Sequence, residues 1–376
     1  MRVLVAGGGT GGHVYPALAI LDELAHTVPE AELGYVGTAR GLEARLVPSI
    51  SNVRFFTTCV RGFPFGLSIG SKLRSMMALF WAVLQAFAII LRFRPHVVLG
   101  VGGYASFPAV FVSALLGRVV PIRTLIHEQN AVVGRANRVL ARWVDRVLVS
   151  FPSTAKDLPR ARKIAVTGNP VRQDRLGKMP SREAYQRFAL DPEKRTVLVF
   201  GGSKGSAALT RAVLDLSVDF SDERELQVLL VTGNEDAARE ARKRLRAYGA
   251  RNVAVQAYID RMGEAYAISD LIVSRAGATT LAEITSCGKP AVIVPWEGAT
   301  DDHQVANAEF LERADACALI REAAILDGGL SHVIRELVHD PRRLVRMAAN
   351  SRRLGRRQAT TAVLGEVVGL FGGALT

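Results

Sequence analysis

The chain has 376 residues, 49% of them hydrophobic and 22% charged, with a formal net charge of +13 at pH 7. That length exceeds one ordinary core and suits two α/β domains of ~150 to 200 residues each, and the composition excludes a disordered or fibrous chain. Three cysteines, Cys59, Cys287 and Cys317, stand far apart without a CxxC pair, which excludes a disulfide framework or a cysteine zinc site and fits a reducing compartment.

Residues 3 to 6 read as a core strand at the very start, so no signal peptide is expected and the chain should stay in the cytoplasm. This strand runs straight into GGGTGGH, Gly7 to His13, just as RTVLVF later runs into GGSKGS, Gly201 to Ser206. A strand that ends in glycines and opens a helix sets backbone N–H groups and a positive helix end against an anion, usually a phosphate. Two such cradles point to a phosphorylated donor meeting a phosphorylated acceptor. Gly7, Gly9 and Gly12 also match the GxGxxG dinucleotide spacing, but the second strand ends YVGTARG, with no acid before Glu43 to hold a ribose. Arg40 could serve a 2′-phosphate and keeps an oxidoreductase as a minor alternative. His13 opens the first helical turn, where the helix end disfavours a charged imidazole and leaves it able to accept a proton near neutral pH. Packing of the ring against the loop is the plainer alternative.

Between Glu43 and Glu128 there is no acidic residue, whereas Arg45, Arg54, Arg61, Lys72, Arg74, Arg92, Arg94, Arg118 and Arg123 are all basic. Within this stretch Met76 to Leu91 is apolar except for Gln85. Sixteen helical residues reach roughly 24 Å, short of the ~30 Å hydrocarbon core of a bilayer. One alternative is a core helix. The other is an interfacial helix, in which Met77, Phe80, Trp81 and Leu84, with Phe63 and Phe65 of the preceding GFPFG loop, enter the headgroup region while Lys72 and Arg74 meet anionic lipid. No nucleic-acid motif accompanies the charge.

Short β-rich runs alternate with helical patterns, which indicates parallel sheets. The first half has runs near residues 3–6, 33–36, 97–100, 124–127, 146–149 and 164–167, and the second near 196–200, 227–231, 253–256, 271–273 and 291–294. The switch is expected at GNPVR, Gly168 to Arg172, giving domains of 1–167 and 168–350. A C-terminal helix, 351–376, is expected to pack back on the first. In SRAGATTLAEI, Ser274 to Ile284, small residues let the backbone approach a ligand at a helix start, and Glu283 could accept hydrogen bonds from both hydroxyls of a ribose. Helix-dipole compensation is the alternative for that carboxylate. ATDDHQVANA, Ala299 to Ala308, lies on the same carboxyl edge of the second sheet. Adjacent Asp301 and Asp302 make a weak ligand set, so no metal is expected.

GGTGGHVYPALAI, LGVGGYASFP, HEQN, GNPVR, GGSKGS, YIDRM, SRAGATTLAEI and DDHQVANA occur in the order found in the MurG family of bacterial peptidoglycan glycosyltransferases, glycosyltransferase family 28, which the chain resembles over nearly its whole length. The resemblance implies an α/β GT-B fold of two Rossmann-like domains with a cleft between them. It implies inverting transfer of N-acetylglucosamine from UDP-N-acetylglucosamine to the muramoyl C4 hydroxyl of undecaprenyl-linked lipid I, with no cofactor, at the cytoplasmic face of the inner membrane. Cell-wall and division proteins are the partners it suggests. By matching positions, it implies that Arg172 and Ser203 contact the UDP diphosphate, the backbone of Ile259 reads uracil, and Ala278, Thr279, Thr280, Leu281, Ala282 and Glu283 wrap the nucleotide. Gln304, with His303 and Asn307, would hold the sugar, faced by Thr10, Gly11, Gly12 and Asn130. Gly102, Gly103 and Tyr104 would meet the acceptor diphosphate. His13 becomes the candidate base, with Glu128 of HEQN as the alternative. Ser206 stands where alanine is common. A diacylglycerol glycosyltransferase, a UDP-N-acetylglucosamine epimerase and a non-catalytic division scaffold are the rival readings.

Overall fold

The structure, a computed structural model, describes residues 1–50, 52–60, 69–177, 179–203, 205–220, 223–298, 302–325 and 328–372. Its chain divides into two compact units, residues 1–172 with 357–376, and residues 173–356. The break thus falls after Arg172, whereas the glycine and proline of GNPVR had suggested 167/168.

The first unit holds a seven-stranded parallel sheet: β1 (Arg2–Ala6), β2 (Glu32–Gly37), β3 (Val53–Thr57), β4 (Val97–Gly100), β5 (Arg123–Glu128), β6 (Arg146–Val149) and β7 (Ile164–Val166), in the order β3-β2-β1-β4-β5-β6-β7. The second holds six parallel strands: β8 (Arg195–Phe200), β9 (Leu226–Val231), β10 (Val253–Gln256), β11 (Leu271–Ser274), β12 (Ala291–Ile293) and β13 (Cys317–Leu319), in the order β10-β9-β8-β11-β12-β13. Each order reverses beside its first strand, between β1 and β4 and between β8 and β11. At such a reversal the following loops diverge, leaving a crevice at the carboxyl edge for a ligand.

The central strands are unbroken apolar runs because helices cover both faces. Val3, Leu4, Val5, Val97, Val98 and Leu99 are fully buried, as are Leu198, Val199, Leu271, Ile272 and Val273. Two strands were not foreseen. Edge strand β3, VRFFT, is mostly half-exposed and carries Arg54, and β13 has only three residues; neither shows a buried apolar run.

The C-terminal run, expected to close the fold with a helix over 351–376 packed on the first domain, is two helices among the described residues. Helix Pro341–Leu354 ends at Gly355 and lies against the helix Ala278–Cys287, so closely that a Cβ on Gly355 would fall 2.2 Å from the Thr285 carbonyl oxygen. A separate helix, Ala359–Gly372, then completes the first unit: Val363, Leu364 and Val367 join Val3, Leu18 and Leu21 in one core. Thr360 Oγ1 donates to Val171 O at 3.1 Å, and Arg146 pairs with Glu366.

The apolar helix of the first unit spans Ile69–Phe93, 25 residues and about 37 Å. The expected sixteen-residue limit is therefore too short, and Gly70–Phe93 is long and apolar enough to cross a membrane by length and composition. Its two faces differ. Ala82, Ala86, Ile90 and Phe93, spaced as one helical stripe, are buried, the last three against Leu4, Val36 and Val98. Leu73, Met76, Met77, Phe80, Trp81, Leu84, Phe87 and Leu91 point outward, Phe80 and Trp81 being 61% and 56% exposed. Lys72 and Arg74 are exposed at the same end, while Phe63 and Phe65 lie outside the described residues.

Because the C-terminal helix closes the first core, Leu364→Ala is expected to cost that unit about 2–5 kcal/mol. Hydrogen exchange should show protection lost in β1 and β4 and unchanged in β8 and β11, since the substituted side chain belongs to the first core alone.

Candidate active site

In the first unit, the loops after β1, β4 and β5 converge. Gly102 and Gly103 adopt φ of +89° and +74°, a backbone open to glycine. A Cβ on Gly103 would lie 2.5 Å from the carbonyl oxygen of Gly8, and one on Gly102 would lie 2.8 Å from His13 Nδ1. The sequence therefore needs LGVGGY here so that the β4 loop can press against the β1 loop and the His13 ring. Tyr104 lies over Gly9. Gly102 and Gly103 present backbone N–H groups with no partner among the described residues.

The first glycine loop is not the open anion cradle that its sequence suggested. Glu43, fully buried, accepts from the Gly9 N–H at 3.1 Å and from the Thr38 N–H and hydroxyl at 3.0 and 2.7 Å. A negative charge is already built in behind Gly8 and Gly9. An anion in this unit would meet the helix start at Thr10, Gly11 and Gly12 and the Gly102–Gly103 backbone instead.

His13 Nδ1 lies 3.1 Å from Gln129 Oε1. Glu128, the alternative base, is buried with its acceptor positions committed: Oε1 takes the Asn130 N–H and Nδ2 at 3.1 and 3.3 Å, and Oε2 takes the Gly134 N–H and Asn137 Nδ2 at 2.9 and 2.8 Å. Four donors on one carboxylate make a loop brace, which shapes residues 128–137 and positions Asn130. Glu128 is thereby displaced as a base. Arg172, matched to the diphosphate by motif, belongs to the first unit, where its Nε sits 3.8 Å from Asp22.

In the second unit the loops after β8, β11 and β12 meet. Gly202 and Gly205 have φ of +84° and +73°, and a Cβ on Gly205 would fall 1.9 Å from the carbonyl oxygen of Thr232. Ser203 is exposed on that loop, while Lys204 lies outside the described residues. Arg275 ties the loops together: its Nη2 donates to Ser206 Oγ at 2.9 Å, and its Nη1 pairs with Glu322 at 2.6 Å and reaches the carbonyls of Val294 and Pro295 at 3.3 Å. Ser206, the departure from the usual alanine, thus both caps its helix, accepting from Leu209 N–H at 3.3 Å, and receives Arg275.

The helix Ala278–Cys287 starts from Gly277 with no side-chain cap. Its first-turn N–H groups, at Ala278, Thr279 and Thr280, form a positive end one strand away from the β8 loop. Leu281 is buried, and Ala282 and Glu283 are half-buried. Glu283 Oε2 accepts from the Tyr266 hydroxyl at 2.6 Å. Burial raises the Glu283 pKa, opposed by the Tyr266 hydrogen bond and by Arg175. Ile259 buries its side chain, and its backbone N–H and C=O have no partner among the described residues. Gln304 Oε1 accepts from Trp296 N–H at 3.0 Å, and half-buried His303 begins the same helix. Asn307 does not face a sugar: it is fully buried, and its Nδ2 donates to Ala276 O at 3.1 Å, bracing the SRAG turn. Among the described residues no cluster suited to a metal occurs.

The sequence matches the glycosyltransferase family 28 N-terminal domain over residues 3–149 and the family's C-terminal domain over residues 196–363. The chain belongs to glycosyltransferase family 28. A family 28 relative from Lactiplantibacillus plantarum is 39% identical over 97% of this chain and 98% of its own, and one from an Anaeromyxobacter strain (Fw109-5) is 41% identical over 96% and 92%. Both are named UDP-N-acetylglucosamine--N-acetylmuramyl-(pentapeptide) pyrophosphoryl-undecaprenol N-acetylglucosamine transferase. Crystalline Acinetobacter baumannii MurG is 28% identical, with a TM-score of 0.75 over 98% of this chain and 99% of that one. Neisseria meningitidis UDP-GlcNAc 2-epimerase, 16% identical with a TM-score of 0.66 over 98% and 100%, shares the fold. The fold is GT-B-like, as expected from the sequence.

Residues around the candidate site to which sequence reasoning gave no role are Glu43, His127, Gln129, Tyr266 and Arg275, each hydrogen-bonded to a loop or side chain of the site. His127 and Gln129 carried a signal as members of HEQN, and Arg275 as a member of SRAGATTLAEI. The brace formed by Glu128 is testable: Glu128→Ala leaves four donors unmatched, at about 1–3 kcal/mol for each that stays buried. Faster hydrogen exchange at Gly134 is expected, and Glu128→Gln, with one acceptor oxygen in place of two, should restore only one side of the brace, Gly134 with Asn137 or Asn130.

Proposed function

We propose that this family 28 enzyme transfers N-acetylglucosamine from UDP-N-acetylglucosamine to the C4 hydroxyl of the muramoyl sugar in undecaprenyl-diphospho-muramoyl-pentapeptide, with inversion. The observation that carries the reading is relatives of that name at 39% and 41% identity over nearly the full chain. The second unit supplies chemistry suited to the donor. Ser203 and the uncapped helix start at Ala278 to Thr280 would receive the diphosphate, stabilising the charge that develops as UDP departs. The Ile259 backbone would read uracil, Glu283 would accept the ribose hydroxyls, and Gln304, fixed through Trp296, would turn its NH2 to the sugar.

In the first unit the Gly102 and Gly103 N–H groups would meet the acceptor diphosphate. His13 would take the C4 hydroxyl proton as that oxygen bonds to the anomeric carbon and the anomeric C–O bond to UDP breaks. Lys72, Arg74 and the outward face of Ile69–Phe93 would rest on anionic lipid at the cytoplasmic face of the membrane, where the acceptor's polyprenyl chain is buried.

UDP release is expected only when a short-chain lipid I analogue is present, with a disaccharide lipid product by mass; acceptor-free epimerisation would overturn the assignment. His13→Gln should lower kcat by 10²–10⁴-fold with donor binding kept. Ribose binding needs the ionised form of Glu283, whose pKa burial raises. The donor KM should therefore climb as pH falls through a range above that of ordinary carboxylates. Tyr266→Phe removes the bond that favours the carboxylate and should move the climb to higher pH; a KM flat with pH in both proteins would exclude the ribose role. Reversing Lys72 and Arg74 to glutamate should weaken binding to anionic vesicles on the order of tenfold or more at low salt, and leave neutral vesicles unaffected.

A further inference from the structure

A hydrogen-bond chain runs from His13 into the core of the first unit. Gln129, itself buried, donates from Nε2 to the Val101 carbonyl at 2.7 Å and to His127 Nδ1 at 3.1 Å, and its Oε1 faces His13 Nδ1 at 3.1 Å. A backbone carbonyl can only accept, so Val101 decides which end of the amide is NH2. The amide oxygen, which also only accepts, is then the atom turned to His13. His13 Nδ1 must carry the proton.

The far end of the chain is fixed by the same logic. His127 Nε2 lies 2.9 Å from the Gly168 carbonyl oxygen, so it donates there, and its Nδ1 lone pair receives the second N–H of Gln129. Complete burial pushes the pKa of His127 down to about 4, His13 pushes it the same way, and the Gly168 bond opposes both. The ring is neutral at working pH and can fill this acceptor role. Two carbonyls, Val101 and Gly168, thus set every donor and acceptor between them.

We propose that Gln129 and His127 are positioning residues that lock His13 in its Nδ1–H tautomer, leaving the Nε2 lone pair to take the acceptor's proton. The proposal rests on His13 being the base. It also specifies the kind of support that base receives. In a Ser-His-Asp triad a carboxylate holds the imidazole tautomer and stabilises the imidazolium, whereas here a neutral amide performs the first task. The nearby carboxylates, Glu43 and Glu128, are bound to loop N–H groups instead. Gly102, whose Cβ would press on Nδ1 and approach Gln129 Oε1 to 3.1 Å, keeps the ring and amide in register.

The test is nitrogen NMR of the full-length protein labelled in histidine, run beside steady-state kinetics on wild type, Gln129→Met, Gln129→Glu and His13→Gln. In wild type, the His13 signal should report protonated Nδ1 and bare Nε2. Gln129→Met should give mixed tautomers and a kcat lower on the order of 10²-fold, with donor KM nearly unchanged. Gln129→Glu still offers an acceptor to Nδ1–H, so it should restore the tautomer and part of kcat. An Nε2–H tautomer in wild type, or an unaltered tautomer and kcat in Gln129→Met, would overturn the inference. Should Gln129→Met fail to fold, the wild-type and Gln129→Glu spectra still decide. Near-normal turnover by His13→Gln would remove the base reading, and with it the catalytic half of the proposal, while the tautomer result stands or falls on the spectra.

Discussion

Both halves of the molecule depend on backbone touching backbone where neighbouring loops leave the carboxyl edge of the sheet. Gly103 sits against the Gly8 carbonyl in the first unit and Gly205 against the Thr232 carbonyl in the second, each at a separation that a single methyl group would close. A larger residue at Gly103 would push the β4 loop away from β1, and with it the wall against which His13 rests. In the second unit the same displacement would lift the β8 loop that presents Ser203 and Ser206. The glycines therefore fix the positions of the functional side chains as well as permitting the turns.

The two halves repeat a topology and differ in charge. Behind the first glycine loop lies the Glu43 carboxylate, satisfied by three donors from the chain itself. Behind the second lies the Arg275 guanidinium, which spans Ser206, Glu322 and two carbonyls. A buried ion must be paired or hydrogen-bonded to be tolerated, and each of these is. The consequence differs between the halves. An anion approaching the first loop meets a negative group in its second layer, whereas one approaching the second meets an arginine offset by a glutamate and an uncapped helix end. Duplicated strand-loop-helix units thus acquire different electrostatics through one charged residue each, Glu43 buried and Arg275 largely so, contributed by a different segment of the chain.

How much of this was legible in the sequence follows from the range of the interactions. Central strands could be read because burial on both faces writes a continuous apolar run, while β3 and β13 could not, since neither the half-exposed β3, bearing Arg54, nor the partly buried β13 writes one. Glycine spacing and helix starts are local, so loop motifs offered His13 and Glu283 as candidates, and the family resemblance added Ser203. The errors arose where local identity conceals which lone pairs are already used. Glu128 and Asn307 are polar residues in ligand-facing motifs, yet one is consumed by four donors and the other holds the Ala276 carbonyl. Tyr266 and Arg275 reach Glu283 and Ser206, 17 and 69 positions away, and Glu43 reaches Gly9, 34 away, as well as its neighbour Thr38; the long reaches are beyond anything spacing can report.

The helix Ile69–Phe93 shows how length alone misleads in either direction. A sixteen-residue core is too short to span a bilayer, and the 25-residue helix is long enough. Neither count decides the matter, because one face is already spent: Ala86, Ile90 and Phe93 pack on the core beneath β1, β2 and β4, and the small Ala82 and Ala86 allow close approach. To insert fully, the helix would have to leave that core and expose Leu4, Val36 and Val98. Lying along an interface requires no such loss. The outward face carries Phe80, Trp81, Met76 and Met77, a group too large and too contiguous to be ordinary scattered surface apolarity. The cationic end at Lys72 and Arg74 adds attraction only from a negatively charged surface. The division of one helix into an inner stripe packed on the core and an outer stripe of large exposed side chains therefore suits the peripheral attachment proposed above better than a span.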